Sequence, residues 1–217
     1  QMLWRDELAA VCHRMRVAVS ARSTRLAMIR DLEALADPGE LMPHIYAVLR
    51  ARNALWRADE PIGCIDAPDQ DGRLLAATRS GFAWLTPGED GSVARTPIVA
   101  PEADLPGNRF NDGKRAPDGS FWAGSMDEAE AADSGAWWRL DPTTGGATRL
   151  ASGYRVTNGP AFDRKRSRVY LTDSARQTVF VANWIAGGGF DQLRVFKQFG
   201  EGDGYPDGME IDADGAL

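Results

Sequence analysis

At 217 residues, with 43% hydrophobic and 26% charged side chains, the chain has the composition of a folded domain and not of a disordered or collagen-like one. A net charge of −6 disfavours nucleic acid and anionic membrane surfaces as partners, because both reward clustered Lys and Arg. No apolar run is long enough to span a membrane and the start of the chain has no signal-peptide core, so the expectation is a soluble, cytoplasmic protein.

Residues 1–58 hold nine Arg, no Lys and six acids, whereas the remainder holds 16 bases against 25 acids. Leu8–Val11 and Leu26–Leu35 are rich in strong helix formers, and Asp37-Pro38-Gly39 reads as a stop. This first segment is expected to be atypical, either helical or irregular, or to hold an altered first unit of the fold around Arg25–Asp31. Cys12 and Cys64, with His13 and His44, are too few for a disulfide scaffold or a Cys/His metal site, so hydrolysis here would not use histidine as base.

From about Trp56 onward the texture is β, with short apolar segments between Gly, Pro and Asp clusters. Asp-Gly turns precede apolar segments at Asp71-Gly72, Asp118-Gly119 and Asp214-Gly215, and Asp163–Arg166 fills the same role before Val169–Asp173. Measured from Asp71 through Asp118, Lys165 and Asp214, the intervals are 47, 47 and 49 residues. One period has room for four short strands, as in Pro160–Phe162, Arg168–Asp173, Thr178–Asn183 and Leu193–Phe199. Four strands in about 40–50 residues are what a β-propeller blade needs, whereas sandwich turns recur at about 8–12 residues. The fold expected is all-β, a propeller of about four blades plus a fragment, with residues 1–58 as an atypical segment or altered first blade and residues 59–217 as a partial propeller domain.

Seven residues before each turn stand Cys64, Asn111, Asn158 and Asp207. Equivalent positions of successive blades are expected on inner strands, with their side chains converging at one mouth of a central channel. A single Asn-Gly or Asp-Gly is more often a turn; three in phase point to a site. Asn and Asp oxygens suit a hard divalent cation, with calcium expected first and manganese or zinc as alternatives.

Three motifs carry a resemblance: Asn108–Lys114 with Pro117–Met126, Thr157–Phe162 with Tyr170–Ser174, and Tyr205–Met209 with Ile211-Asp212. Over roughly residues 60–217 the chain resembles the gluconolactonase family that includes regucalcin (senescence marker protein). The resemblance implies a six-bladed propeller with one metal ion in its channel, hydrolysing sugar lactones. It further implies Asn158 and Asp207 as metal ligands, Asp207 as proton acceptor and donor, and Arg109 and Asn111 as substrate-binding residues. The family places an acid shortly after the Gly-x-Met segment; Asp127 and Glu128 compete for that role, with Glu128 preferred for its reach.

Two departures from the family pattern shape the expectation. The family's remaining ligand is a Glu in the first blade, and no acid stands between Glu7 and Asp31. The chain also stops at Ala216-Leu217, where a new blade strand is expected to begin, so these residues alone are expected to turn over little or no lactone and to self-associate. The alternative reading is a non-catalytic propeller remnant that binds calcium, sugar acids or a protein partner.

Overall fold

The computed structural model describes residues 56–88 and 91–217. Residues 58–86 and 94–217 make up one compact unit, which holds all that follows; expectations for residues 1–55 lie outside the described residues.

That unit consists of antiparallel four-stranded sheets in which strands follow one another in chain order, the arrangement of a propeller blade. The first is β1 (Ile62–Ile65), β2 (Leu74–Thr78), β3 (Gly81–Pro87) and β4 (Val93–Val99). The second is β5 (Asn108–Arg115), β6 (Phe121–Asp127), β7 (Gly135–Leu140) and β8 (Ala147–Tyr154). The third is β9 (Thr157–Asp163), β10 (Arg168–Asp173), β11 (Thr178–Ile185) and β12 (Gly189–Gln198). Three complete blades therefore stand among the described residues.

The repeat legible in the sequence is a repeat of hydrogen bonding. In the turn before β2, Asp69 N–H donates to Arg73 O and Gly72 N–H to Asp69 O; before β6, Ala116 pairs with Ser120 and Gly119 with Ala116 in the same way. The pattern returns at Asp212–Ala216, so a fourth repeat's turn forms even though residues 199–217 carry no strand. Its glycine sits at positive φ each time, 77° at Gly72, 87° at Gly119 and 86° at Gly215, which a side chain disfavours.

Central strands are buried on both faces because each blade is sandwiched between neighbours. All of Phe121–Met126 on β6 is buried, so its sequence is a continuous apolar-and-small run with no polar alternation, whereas β12 at the outer rim is largely exposed. Between the first two blades pack Leu75, Phe82, Phe110 and Phe121, with the Phe82 and Phe110 ring centroids 4.7 Å apart. Between the second and third pack Trp122, Trp137, Tyr154, Val169 and Leu171, and Trp122 meets Phe162 edge-on at 5.2 Å. A third cluster on the far side of β9–β11 gathers Tyr170, Val179 and Val181 against Met209 and Ile211.

Gly124 marks the closest approach of two blades. A Cβ there would lie 2.3 Å from Thr157 Oγ1 and 2.5 Å from Thr157 Cβ, and Thr157 is itself fixed by donating to Ser125 O at 3.0 Å. Gly124→Ala is therefore expected to destabilise by about 1–3 kcal/mol, the cost of overpacking a rigid contact, read as a lower urea midpoint. An unchanged midpoint would show that the blades can separate at no cost.

Candidate active site on the inner strands

β1, β5 and β9 are the first strands of their blades, and they carry Cys64, Asn111 and Asn158 at equivalent positions. Each inner strand breaks its ladder at that place. Pairing slips between Ile62 and Cys64 on β1, opposite Phe110–Asp112 on β5, and between Tyr170 and Thr172 where β10 faces Gly159-Pro160 of β9. Such a bulge puts an extra residue into the strand and re-aims the side chains beside it. On β5 the consequence is that consecutive residues reach the same neighbour, although side chains of a regular strand alternate. Asn111 Nδ2 donates to Thr157 O at 2.8 Å and to Asn158 Oδ1 at 3.2 Å, while Asp112 Oδ2 accepts the Gly159 N–H at 2.8 Å.

Asn158 is buried and held from both ends of its amide. Its Nδ2 donates to Ser174 Oγ at 2.7 Å, which leaves Oδ1 facing Asn111. The Ser174 hydroxyl donates in turn to Pro206 O, tying β9 to the irregular segment that presents Asp207. Asp207 is exposed, stands on no strand, and accepts the N–H of Gly208 at 2.9 Å. Asn158 and Asp207 line one cavity of about 410 Å³, together with Glu130, Arg155, Ser174 and Tyr205.

Arg109 Nη1 donates to Asn111 Oδ1 at 2.7 Å and to Phe110 O at 3.2 Å, so Arg109, Asn111 and Asn158 form a connected chain. Arg109 itself borders a second cavity of about 310 Å³, with Arg79 and Glu102. Glu102 accepts from Ser125 Oγ at 2.6 Å, Trp138 Nε1 at 2.7 Å and Asn108 Nδ2 at 2.9 Å, fixing the loop that enters β5.

The acids after Met126 are placed differently from one another. Asp127 caps its own loop by accepting the Ala131 and Ala132 N–H groups, which hold its carboxyl below the usual range. Glu128 is paired with Arg79 at 2.6 Å and is not among the residues lining the Asn158–Asp207 cavity. Glu130 is the acid of this loop that does line it, at a φ of 55°. No spacing rule points to Glu130, because its position depends on the path of the 128–134 loop.

Asp112 is the second residue that the sequence reading passed over. Burial pushes its carboxyl above the ordinary value against the opposing pull of the Gly159 and Gly113 N–H groups and the Lys114 ammonium, and the charge of Asp207 adds to the rise. Cys64, at the matching place on β1, is a buried thiol whose ionisation burial pushes strongly upward, which makes it packing material against Gly113 and no nucleophile.

Among the residues lining the cavity, Asn158 offers a neutral amide oxygen and Asp207 and Glu130 offer carboxylates, hard oxygens that fit calcium or manganese better than a thiophilic ion. Among the described residues no three His, Cys, Asp or Glu side chains cluster as a complete metal cage, so the protein oxygens here amount to a partial set. Among the described residues no helix is long and apolar enough to cross a membrane.

Comparison with known proteins places this geometry in context. L-arabinolactonase from Azospirillum brasilense is 32% identical over 164 residues, covering 75% of this chain and 53% of that protein. A 6-deoxy-6-sulfogluconolactonase from Pseudomonas putida is 30% identical over 159 residues, covering 72% and 52%. The chain thus spans about half the length of the relatives it matches. Among solved structures, a luciferin-regenerating enzyme superposes with a TM-score of 0.68 at 25% identity, covering 74% of this chain and 55% of that one. A calcium-binding regucalcin from Agrobacterium tumefaciens gives a TM-score of 0.64 at 23% identity, covering 72% and 52%, a likeness of fold. The model of the SMP-30/gluconolactonase/LRE-like region matches residues 1–217. With that match over the whole chain, the chain belongs to the SMP-30/gluconolactonase/LRE-like family, whose relatives named above include sugar lactonases.

Proposed function

We propose that residues 59–217 carry a divalent-cation-dependent site that opens a sugar lactone to its aldonic acid. The observation that supports this most is the shared cavity of Asn158 and Asp207, with Asn111 hydrogen-bonded to Asn158 from the neighbouring blade. Asn158 Oδ1 and the Asp207 carboxylate would hold the cation, calcium first by their chemistry. When bound, the cation would polarise the lactone carbonyl and make nearby water more acidic.

Every other part falls to the chain's own side chains. Asp207 accepts the proton of the attacking water as the new C–O bond forms, and returns it to the ring oxygen as the ring C–O bond breaks. Asn111 and Arg109 orient the sugar through its hydroxyls and carbonyl, with the planar guanidinium fork already aligned by its bond to Asn111. Glu130, which lines the cavity, takes the substrate-binding part expected of Glu128, whose carboxylate is paired with Arg79. The cavity of about 410 Å³ is a fitting size for a monosaccharide lactone.

Base consumption in a pH-stat, run over a panel of sugar lactones with calcium, manganese or zinc added in turn, tests the reading. Hydrolysis that needs a cation and stops with chelator supports it; hydrolysis indifferent to both would sink it. Asn158→Ala is expected to raise the cation concentration needed by about tenfold or more, the scale of one ~1.4 kcal/mol interaction. Its maximal rate at saturating cation should change far less, because a neutral amide takes no proton in the reaction.

A further inference from the structure

We propose that Asp112 is a positioning residue of this cation site, fixing the Asn158-Gly159 backbone and supplying a second negative charge beside Asp207 from outside the coordination sphere. This rests on the site proposed above.

The bulge in β5 aims Asp112 at β9 together with Asn111, so two adjacent residues of one strand serve the site from the same side. Both carboxylate oxygens are already engaged by backbone: Oδ2 accepts from Gly159 N–H at 2.8 Å and Oδ1 from Gly113 N–H at 2.7 Å. The first of these bonds crosses from one blade to the next and ends on the residue after Asn158. It therefore sets where the Asn158 amide stands relative to β5. A Cβ at Gly208 would lie 3.6 Å from Asp112 Oδ2, which puts the Asp207-Gly208 segment directly against the same carboxylate.

The arrangement costs something if no cation is involved. Burial and the Asp207 charge both disfavour an ionised Asp112, and the Lys114 ammonium compensates while also bonding Met209 O at 2.9 Å and Glu210 at 2.6 Å. Two carboxylates drawn together from β5 and from the irregular segment that carries Asp207 repel each other, and a cation held by Asp207 would remove that repulsion. Outer partners of this kind orient the ligands and raise affinity, and their loss commonly costs about 10–100-fold in metal binding.

Asp112→Asn removes the negative charge and keeps the bond that crosses the blades, because its amide oxygen still accepts from Gly159, while its NH2 group gives up the local Gly113 N–H. Calcium binding to the chain, followed by titration calorimetry with calcium alone, is expected to weaken about 10–100-fold in Asp112→Asn. The metal-free chain should stay folded with a melting temperature lowered by no more than the loss of the one Gly113 bond requires, and the loss of affinity should be larger at low salt than at high salt, as removal of a charge requires. Wild-type affinity in a folded Asp112→Asn overturns the proposal. Failure of Asp112→Asn to fold overturns it too, since the carboxylate would then serve the fold and not the site. If the wild-type chain itself binds no calcium, the site reading of the preceding subsection fails, a result distinct from either.

Discussion

On the proposed mechanism, Asp207→Asn in a full-length, family-like protein carrying this sequence is expected to lower lactone hydrolysis by about 10²–10⁴-fold, the range that a positioned general acid–base contributes. The substitution removes a charged cation ligand and the only cavity-facing group that the mechanism asks to carry a proton in both directions. It should leave folding untouched: Asp207 is exposed, and an amide oxygen can still accept the Gly208 N–H. Pairing a pH-stat rate with a circular-dichroism melt checks both halves. A variant that keeps its rate would move the proton transfer elsewhere, with Glu130 the next carboxylate in the cavity.

Trp122→Ala carries the largest expected effect on stability, about 3–5 kcal/mol, through loss of transfer free energy and the cavity left behind. Trp122 is fully buried on the central strand β6, stands edge-on to Phe162 of the next blade, and donates its Nε1–H to Ser120 Oγ at 3.0 Å. Removing the ring therefore empties the space between two blades and leaves a buried hydroxyl without its donor. Chemical denaturation should show a midpoint lowered in proportion, or no cooperative transition at all. A loss below about 1 kcal/mol would mean that the blades close over the gap, contrary to the rigid packing argued here.

The repeat was legible because its cause is local. An Asp-Gly turn needs a glycine at positive φ and a carboxylate for the following N–H groups, and both leave their mark at Gly72, Gly119 and Gly215, while in the third period Asp163 supplies the carboxylate and Ser167 takes the positive φ at 49°. Of the strands read from residues 160–199, Arg168–Asp173 coincides with β10 and Thr178–Asn183 falls two residues short of the end of β11, whereas β9 begins at Thr157, ahead of the expected Pro160, and β12 at Gly189, ahead of the expected Leu193. That early start comes from pairing with Ile185 across the β11–β12 turn, a register that no apolar pattern announces. Glu128 shows the other limit. Its reach favours it over Asp127, yet it pairs with Arg79, while Glu130 is the acid of that loop that lines the Asn158–Asp207 cavity. Loop paths follow from many weak backbone contacts, and these have no periodicity to read.

The amino-acid sequence by itself determined the all-β class, the blade period, and the in-phase places of Asn111, Asn158 and Asp207, because turn chemistry and strand burial act over a few residues and repeat. Only the tertiary structure decided that β5 bulges at that place, that Asn111 and Asp112 therefore face β9 together, and that Asn158 is locked through Ser174 to the segment carrying Asp207. The physical reason is that these bonds join residues about 16 to 47 positions apart, across strands and blades whose approach is set by packing as close as Gly124 on Thr157. A strand read alone alternates its side chains; a strand pressed against its neighbours must also place every buried N–H and carboxylate, and it bulges to do so.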